Sequence, residues 1–367
     1  MKWSWRLGTF AGIDVYMHAT FVLLIGWIAL SHWLKGQNLS ATLAGVAFVL
    51  ALFVCVILHE YGHALMARRF GIRTRDITLL PIGGLARLER MPEKPVQELW
   101  VALAGPAVNV VIAVVLFSWL WLSNGLQPLN SLSVAGGSFV ERLLVANVFL
   151  VLFNMLPAFP MDGGRVLRAL LANRMEYTKA TQTAAGLGQG MAFLFGIIGL
   201  FSNPFLVFVA LFVWIGAAQE AASVQTKTSL SGVPVARAMM TDFRTLEHND
   251  RLSRAVQLIL AGAQQDFPVV QDGRVAGVLT KADLLLALAQ YGENHLVSQV
   301  MRQDIRIVDS SDMLAIAFER LQECDCHSMP VVHGDRLVGI VTAENVGEFL
   351  IIQSALEGKQ PQRAIAA

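Results

Sequence analysis

The chain has 367 residues, of which 55% are hydrophobic and only 15% charged, at a mean hydropathy of +0.54. That balance excludes an ordinary soluble enzyme and is that of a membrane protein, with room for two or three domains. A net charge of +1, without a basic block or an aromatic ladder, gives no ground for a nucleic-acid partner.

Met1 to Thr9 carries Lys2 and Arg6 ahead of an apolar run that continues to Trp33. No small-residue cleavage site interrupts it, so it reads as a retained first span rather than a signal peptide. Apolar runs of spanning length or near it lie at 16–34, 41–66, 98–122, 139–157, 187–201 and 204–222, which predicts about six transmembrane helices. The segments 67–97 and 158–185 hold most of the Lys and Arg residues of this half, whereas the opposite connections near 35–40, 123–138 and 202–203 hold only Lys35. The positive-inside rule then sets a multi-pass protein of the cell membrane with both termini cytoplasmic.

The second run ends in His59-Glu60-Tyr61-Gly62-His63, after an uncharged stretch from Leu43 to Leu58. Two histidines four apart on a helix point the same way and can grip one Zn²⁺, and the glutamate between them is placed to activate the attacking water. At ~1.5 Å per residue, His59 lies about 26 Å along a helix entering near Thr42, close to the cytoplasmic end of a ~30 Å core. The bland alternative is a pair of satisfied histidines in a soluble core helix. Ionisable groups at membrane depth are costly and usually functional, which argues against it.

A catalytic zinc needs a third protein ligand at the same depth. The fourth run also travels inward and ends in Asn154-Met-Leu-Pro157-Ala-Phe-Pro160-Met-Asp162-Gly163-Gly164-Arg165, which makes Asp162 the best candidate. Asp162 fits equally as an N-cap for a helix over Gly164 to Ala172. Asn154 could donate to a developing oxyanion or hold the substrate backbone, or it could make an interhelical hydrogen bond. Ala104-Gly105-Pro106-Ala107-Val108-Asn109 reads as a close-packing kink with a polar anchor, a structural feature. Asp76 to Glu89, with Pro81 and Gly83-Gly84, reads as a β-hairpin, either beside the metal or as an ordinary loop.

From about Val224 the chain turns polar and repeats itself. Phe267-Pro268-Val-Val-Gln-Asp-Gly-Arg-Val-Ala-Gly277-Val-Leu-Thr280-Lys-Ala-Asp283 aligns with Met329-Pro330-Val-Val-His-Gly-Asp-Arg-Leu-Val-Gly339-Ile-Val-Thr342-Ala-Glu-Asn345. Each copy predicts strand, helix, two strands and helix, so two small α/β units pack as a pair. The predicted organisation is a membrane domain over 1–222, a linker over 223–234, paired units at 235–291 and 296–352, and a tail over 353–367. Cys55, Cys324 and Cys326 are too few for a disulfide framework and read as reduced thiols.

Taken together, His59-Glu60-x-x-His63, Gly83-Gly84, Gly105-Pro106-x-x-Asn109, and Asn154-x-x-Pro157 followed by Asp162-Gly163-Gly164 resemble the site-2 protease family of intramembrane zinc metalloproteases. The repeat at 233–352 resembles a tandem pair of cystathionine-β-synthase (CBS) domains, which places the chain with the sporulation pro-sigma-factor protease-like subgroup. The resemblance implies a polytopic α-helical membrane protein of about six transmembrane helices with a membrane-associated β-hairpin, followed by an α/β tandem CBS domain. It further implies one zinc per chain on His59, His63 and Asp162, Glu60 as base, Asn154 near the substrate, and cleavage of a transmembrane protein substrate in the lipid bilayer. Family CBS pairs often bind adenine nucleotides (ATP, ADP or AMP) through a G-h-x-[ST]-x-x-D stretch, which Gly277 to Asp283 keeps, with Thr280 and Asp283 as its binding residues. The second copy departs from it at Asn345, which speaks against a second nucleotide site. A homodimer through the CBS pair is implied by resemblance alone, and a dimerisation module without ligand is the alternative. The competing readings of the whole are a CBS-regulated metal-ion transporter and a non-catalytic membrane nucleotide sensor. Transport has no need of Glu60, and no repeated membrane halves are found.

Overall fold

The computed structural model describes residues 3–36, 38–81, 83–89, 91–92, 94–123, 137–262, 264–324 and 327–356. Most of the 123–138 connection, Arg90, Cys326 and the tail beyond Leu356 lie outside these residues. The chain divides into two compact units, Met1–Val224 and Gln225–Ala367.

The first unit opens with two strands, β1 (Ser4–Phe10) and β2 (Ile13–His18), followed by helices α1 (Ala19–Leu34) and α2 (Leu39–Arg69). The hairpin β3 (Thr74–Leu80) and β4 (Gly83–Leu88) comes next. Then follow α3 (Pro95–Leu122), α4 (Phe139–Asn154), α5 (Asp162–Ala172), α6 (Tyr177–Ser202) and α7 (Pro204–Ser229). The sequence predicts the β3–β4 hairpin alone, whereas the structure has a four-stranded sheet in the order β1-β2-β3-β4. β2 lies parallel to β3, with Asp14 opposite Asp76 and Val15 opposite Ile77. Ile13 of β2 and Ile77 of β3 pack on Ala64, the residue after His63 on α2.

Among the described residues, four helices, α2, α3, α6 and α7, are long and apolar enough to cross a membrane. The other two expected spans, α1 and α4, are 16 residues each. At ~1.5 Å per residue that is about 24 Å, short of a ~30 Å core. α1 is shorter than its apolar run because the start of the run, through His18, belongs to β2, and His18 caps the helix by accepting from Thr20 N–H. α4 stops at Asn154, where the chain turns irregular before α5.

The unit is apolar on its surface and encloses a small set of polar groups within an apolar core. Trp27, Trp33, Val111, Leu200 and Phe201 are exposed, while Glu98, Asn109, Asn147, Arg168 and Thr181 are buried at 0 to 1% exposure. Lipid can solvate the former but not the latter, so the buried polar groups must satisfy one another. Arg168 of α5 does so across three helices. Its Nε donates to Glu98 Oε1 of α3 at 2.7 Å and its Nη1 to Glu220 Oε1 of α7, while the guanidinium lies 5.0 Å from the ring centroids of Phe159 and Tyr177. The arginine fork thereby fastens α5 to α3 and α7.

The second unit holds two similar halves. The first contains β5 (Leu246–Glu247), α8 (Leu252–Ala261), β6 (Phe267–Gln271), β7 (Arg274–Leu279) and α9 (Lys281–Tyr291). The second contains β8 (Val308–Asp309), α10 (Leu314–Glu323), β9 (Ser328–His333), β10 (Arg336–Thr342) and α11 (Ala343–Leu356). Each forms a three-stranded sheet whose outer pair is an antiparallel hairpin. The halves complete each other: Val235 and Ala238 pack into the core of the second, and Val297 and Met301 into that of the first. Single bridges Met240 to Ile340 and Val278 to Arg302 mark the exchange. Cys324 is disulfide-bonded, where the sequence predicts a reduced thiol, and Cys55 is a buried free thiol.

Candidate metal centre

α2 is 31 residues long, about 46 Å, and presents His59 and His63 on one face near its C-terminal end. The segment after α4 brings the start of α5 to the same place. Asp162 is the first residue of α5, and its carboxylate does not cap that helix: the N-cap is Met161, without a side-chain cap bond. Asp162 Oδ2 lies 3.2 Å from His59 Nε2 and 3.1 Å from His63 Nε2, and the two Nε2 atoms are 3.1 Å apart. All three residues are buried, at 5 to 7% exposure.

The other ring nitrogens are held from α3. His63 Nδ1 donates to the Val101 carbonyl at 2.7 Å. His59 Nδ1 meets Asn109 Oδ1, and Asn109 Nδ2 donates to Asn147 Oδ1 of α4 at 2.8 Å. Gly105 lies directly beneath the cluster. A Cβ there would collide with His63 Nε2 and come within 2.7 Å of His59 Nε2. Sequence reasoning treats the Gly105-to-Asn109 stretch as structural and passes over Asn147. The available signals are an amide in each of two apolar spans and the four-residue spacing that puts Gly105 and Asn109 on one helix face.

Glu60 points from the same helix toward the sheet, where Ala86 N–H of β4 donates to its Oε2 at 3.1 Å. Gly84 makes that approach possible, since a Cβ there would stand 2.7 Å from Glu60 Cγ. Asn154 ends α4, half-buried, and among the described residues no hydrogen bond joins it to the cluster.

Residues 47–141 and 130–197 match the model of peptidase family M50, and residues 233–290 and 297–351 each match the CBS domain. A zinc metalloprotease of Methanocaldococcus jannaschii is 31% identical over 362 residues, covering 98% of this chain and 99% of the relative. The chain belongs to peptidase family M50, the site-2 proteases. The protease also resembles the stage IV sporulation protein FB of Bacillus subtilis, at 29% identity over 157 residues, 42% of this chain and 51% of that one. Among solved structures, a site-2 protease from Methanocaldococcus jannaschii is 36% identical, covers 60% of this chain and 95% of that chain, and superposes with a TM-score of 0.45. The protein is thus a membrane-embedded zinc metalloendopeptidase carrying a CBS pair.

The donor set fits zinc. His63 Nδ1 faces a carbonyl, which only accepts, so its proton sits on Nδ1 and the ring's other nitrogen turns toward a carboxylate oxygen that also only accepts. A cation at the centre of the three atoms serves all their contacts at once. Ligands about 2.0–2.1 Å from a tetrahedral zinc stand roughly 3.3 Å from one another, close to the separations found here.

In the CBS pair, Thr280 caps α9, accepting from Asp283 N–H at 3.1 Å and donating to Asp283 Oδ2 at 2.6 Å. Arg302, which sequence reasoning does not single out, grips the same carboxylate with both Nε and Nη2, at 2.6 and 3.1 Å. This guanidinium, with the Thr280 hydroxyl behind it, holds Asp283 below the usual carboxylate range. Thr280 and Arg302 line a cavity of about 910 Å³ together with Asp266, Lys281, Arg306 and His327. In the second copy Thr342 and Asn345 repeat the cap, with an amide in place of the carboxylate.

The geometry predicts that Gly105→Ala abolishes zinc retention, because the new methyl group occupies the space into which the imidazoles point. Gly186→Ala, where a Cβ meets nothing within 4 Å, serves as the control and is expected to keep full zinc content. Elemental analysis of both purified proteins checks this, and a zinc-replete Gly105→Ala protein would contradict the placement.

Proposed function

We propose that the protease cuts a transmembrane segment of a regulatory membrane protein near the cytoplasmic face, with His59, His63 and Asp162 holding the zinc and Glu60 acting as base. The observation that supports this reading is the bond from Ala86 N–H to Glu60 Oε2, which holds Glu60, next to His59 in the chain, against the outermost strand of the sheet. Held by His59, His63 and Asp162, zinc would supply Lewis acidity, lowering the pKa of the attacking water towards about 7 and polarising the scissile carbonyl.

The chain's own residues do the rest. A helical substrate has its carbonyls engaged in intrahelical bonds and must unwind locally before it can be attacked. Among the described residues β4 pairs with β3 on one side only, so its other edge supports addition of the unwound segment as a further strand. Glu60 takes a proton from the attacking water and delivers it to the leaving amine. Asn154, at the cytoplasmic end of α4 in this reading, donates to the substrate carbonyl. The Lys and Arg residues of 67–97 and 158–185 support cytoplasmic termini.

An adenine nucleotide at the CBS pair regulates cleavage in this reading. The ribose is held by Asp283 and the phosphates by the cavity's basic side chains, Lys281, Arg302 and Arg306 among them. Arg302 would have to leave Asp283 for the ribose to enter, and it then stands ready for a phosphate.

Two outcomes test the proposal. Glu60→Gln is expected to retain one zinc per chain and to slow cleavage of a co-expressed natural substrate by about 10²–10⁴-fold; undiminished cleavage would remove Glu60 from the chemistry. Arg302→Ala is expected to tighten binding of adenosine, which needs Asp283 free, and to weaken binding of ATP by roughly tenfold, the size expected for a lost charged hydrogen bond. Calorimetric titration with both ligands reads the two signs, and equal shifts for both would contradict the arrangement.

A further inference from the structure

The buried amides of α3 and α4 form a hydrogen-bonded chain with a fixed direction. It starts at the Leu143 carbonyl, which accepts from Asn147 Nδ2 at 2.8 Å. A carbonyl cannot donate, so the end of the Asn147 amide that faces it must be the NH₂. The same NH₂ lies 3.5 Å from Cys55 Sγ, a weak acceptor. The oxygen of Asn147 therefore faces α3, where it accepts from Asn109 Nδ2 at 2.8 Å. Asn109 must then turn its own oxygen toward His59 Nδ1. An oxygen there requires the proton on Nδ1, which leaves Nε2 bare, and Nε2 is the atom beside Asp162 Oδ2 and His63 Nε2. Both asparagines are 0% exposed, so water offers neither amide an alternative partner.

We propose that Asn147 is a positioning residue for the metal centre: through Asn109 it selects the tautomer of His59 that can ligate zinc, although it touches no ligand itself. The proposal rests on the reading of His59 as a zinc ligand. Without Asn147, the Asn109 amide is free to turn over and present its NH₂ to Nδ1. That favours the tautomer with a proton on Nε2, where the metal would bind. Partners one shell out from a metal typically change affinity by about 10–100-fold. Asn109→Asp removes the ambiguity, since a carboxylate offers His59 an acceptor whichever way it turns.

The test is a double-mutant cycle in zinc affinity, measured by chelator competition on the purified full-length protein in detergent. Asn147→Leu alone is expected to weaken zinc binding about tenfold. In a protein that also carries Asn109→Asp, the same change is expected to have less than about a twofold effect. An equal loss in both backgrounds would mean that Asn147 only packs, and no loss in either would mean that it does nothing to His59; each overturns the proposal. Asn147→Ala repeats the comparison if leucine is not accommodated. A wild-type protein that binds no zinc would overturn the ligand reading itself, which separates the two failures.

Discussion

A cluster of two imidazoles and a carboxylate in an apolar helical bundle is the constraint on which the membrane unit depends. Polar groups there cannot fall back on water, so each must be answered by another group of the protein. The structure meets this by concentrating the answers on one helix. α3 supplies the Val101 carbonyl to His63, the Asn109 amide to His59, and at Gly105 the absence of a side chain that leaves room for both rings. The same helix carries Glu98, whose bond to Arg168 fastens the helix that begins at Asp162. Three candidate ligands from two distant parts of the sequence are thereby referred to a single backbone.

The sheet answers a second constraint, that of seating extended chain against Glu60 on an apolar helix. β3 and β4 reach Glu60 because β2 supports β3 from the other side and because Ile13 and Ile77 bury themselves against α2 at Ala64. Tyr61, beside Glu60 in the motif, donates to the Phe10 carbonyl at 3.0 Å and ties the opposite end of the sheet to the same helix. The motif residues thus organise the sheet as well as the metal cluster.

Much of this was legible in the sequence where the signal is local. The H-E-x-x-H spacing is a property of one helix, each of the six apolar runs contains most of a helix or lies within one, and the repeat that marks the CBS pair survives as two aligned copies. What escaped depends on partners far apart in the chain. β2 has its parallel partner about sixty residues on, and its alternating Ile13, Val15 and Met17 run without a break into the apolar α1, so the strand reads as the start of a span. Asn109 and Asn147 look alike to any local rule, and only the packing of α3 between α2 and α4 shows that one reaches His59 and the other reaches the first. Arg302 lies in no motif; its meeting with Asp283 follows from the exchange of segments between the two CBS halves.

The most direct test of the account is the zinc K-edge X-ray absorption spectrum of the purified full-length protein. Stoichiometric zinc is expected, with a first shell of nitrogen and oxygen at about 2.0–2.2 Å, two of those ligands giving the outer-shell scattering of imidazole. A sulfur shell near 2.3 Å, a single imidazole, or a protein that takes up no zinc would contradict it.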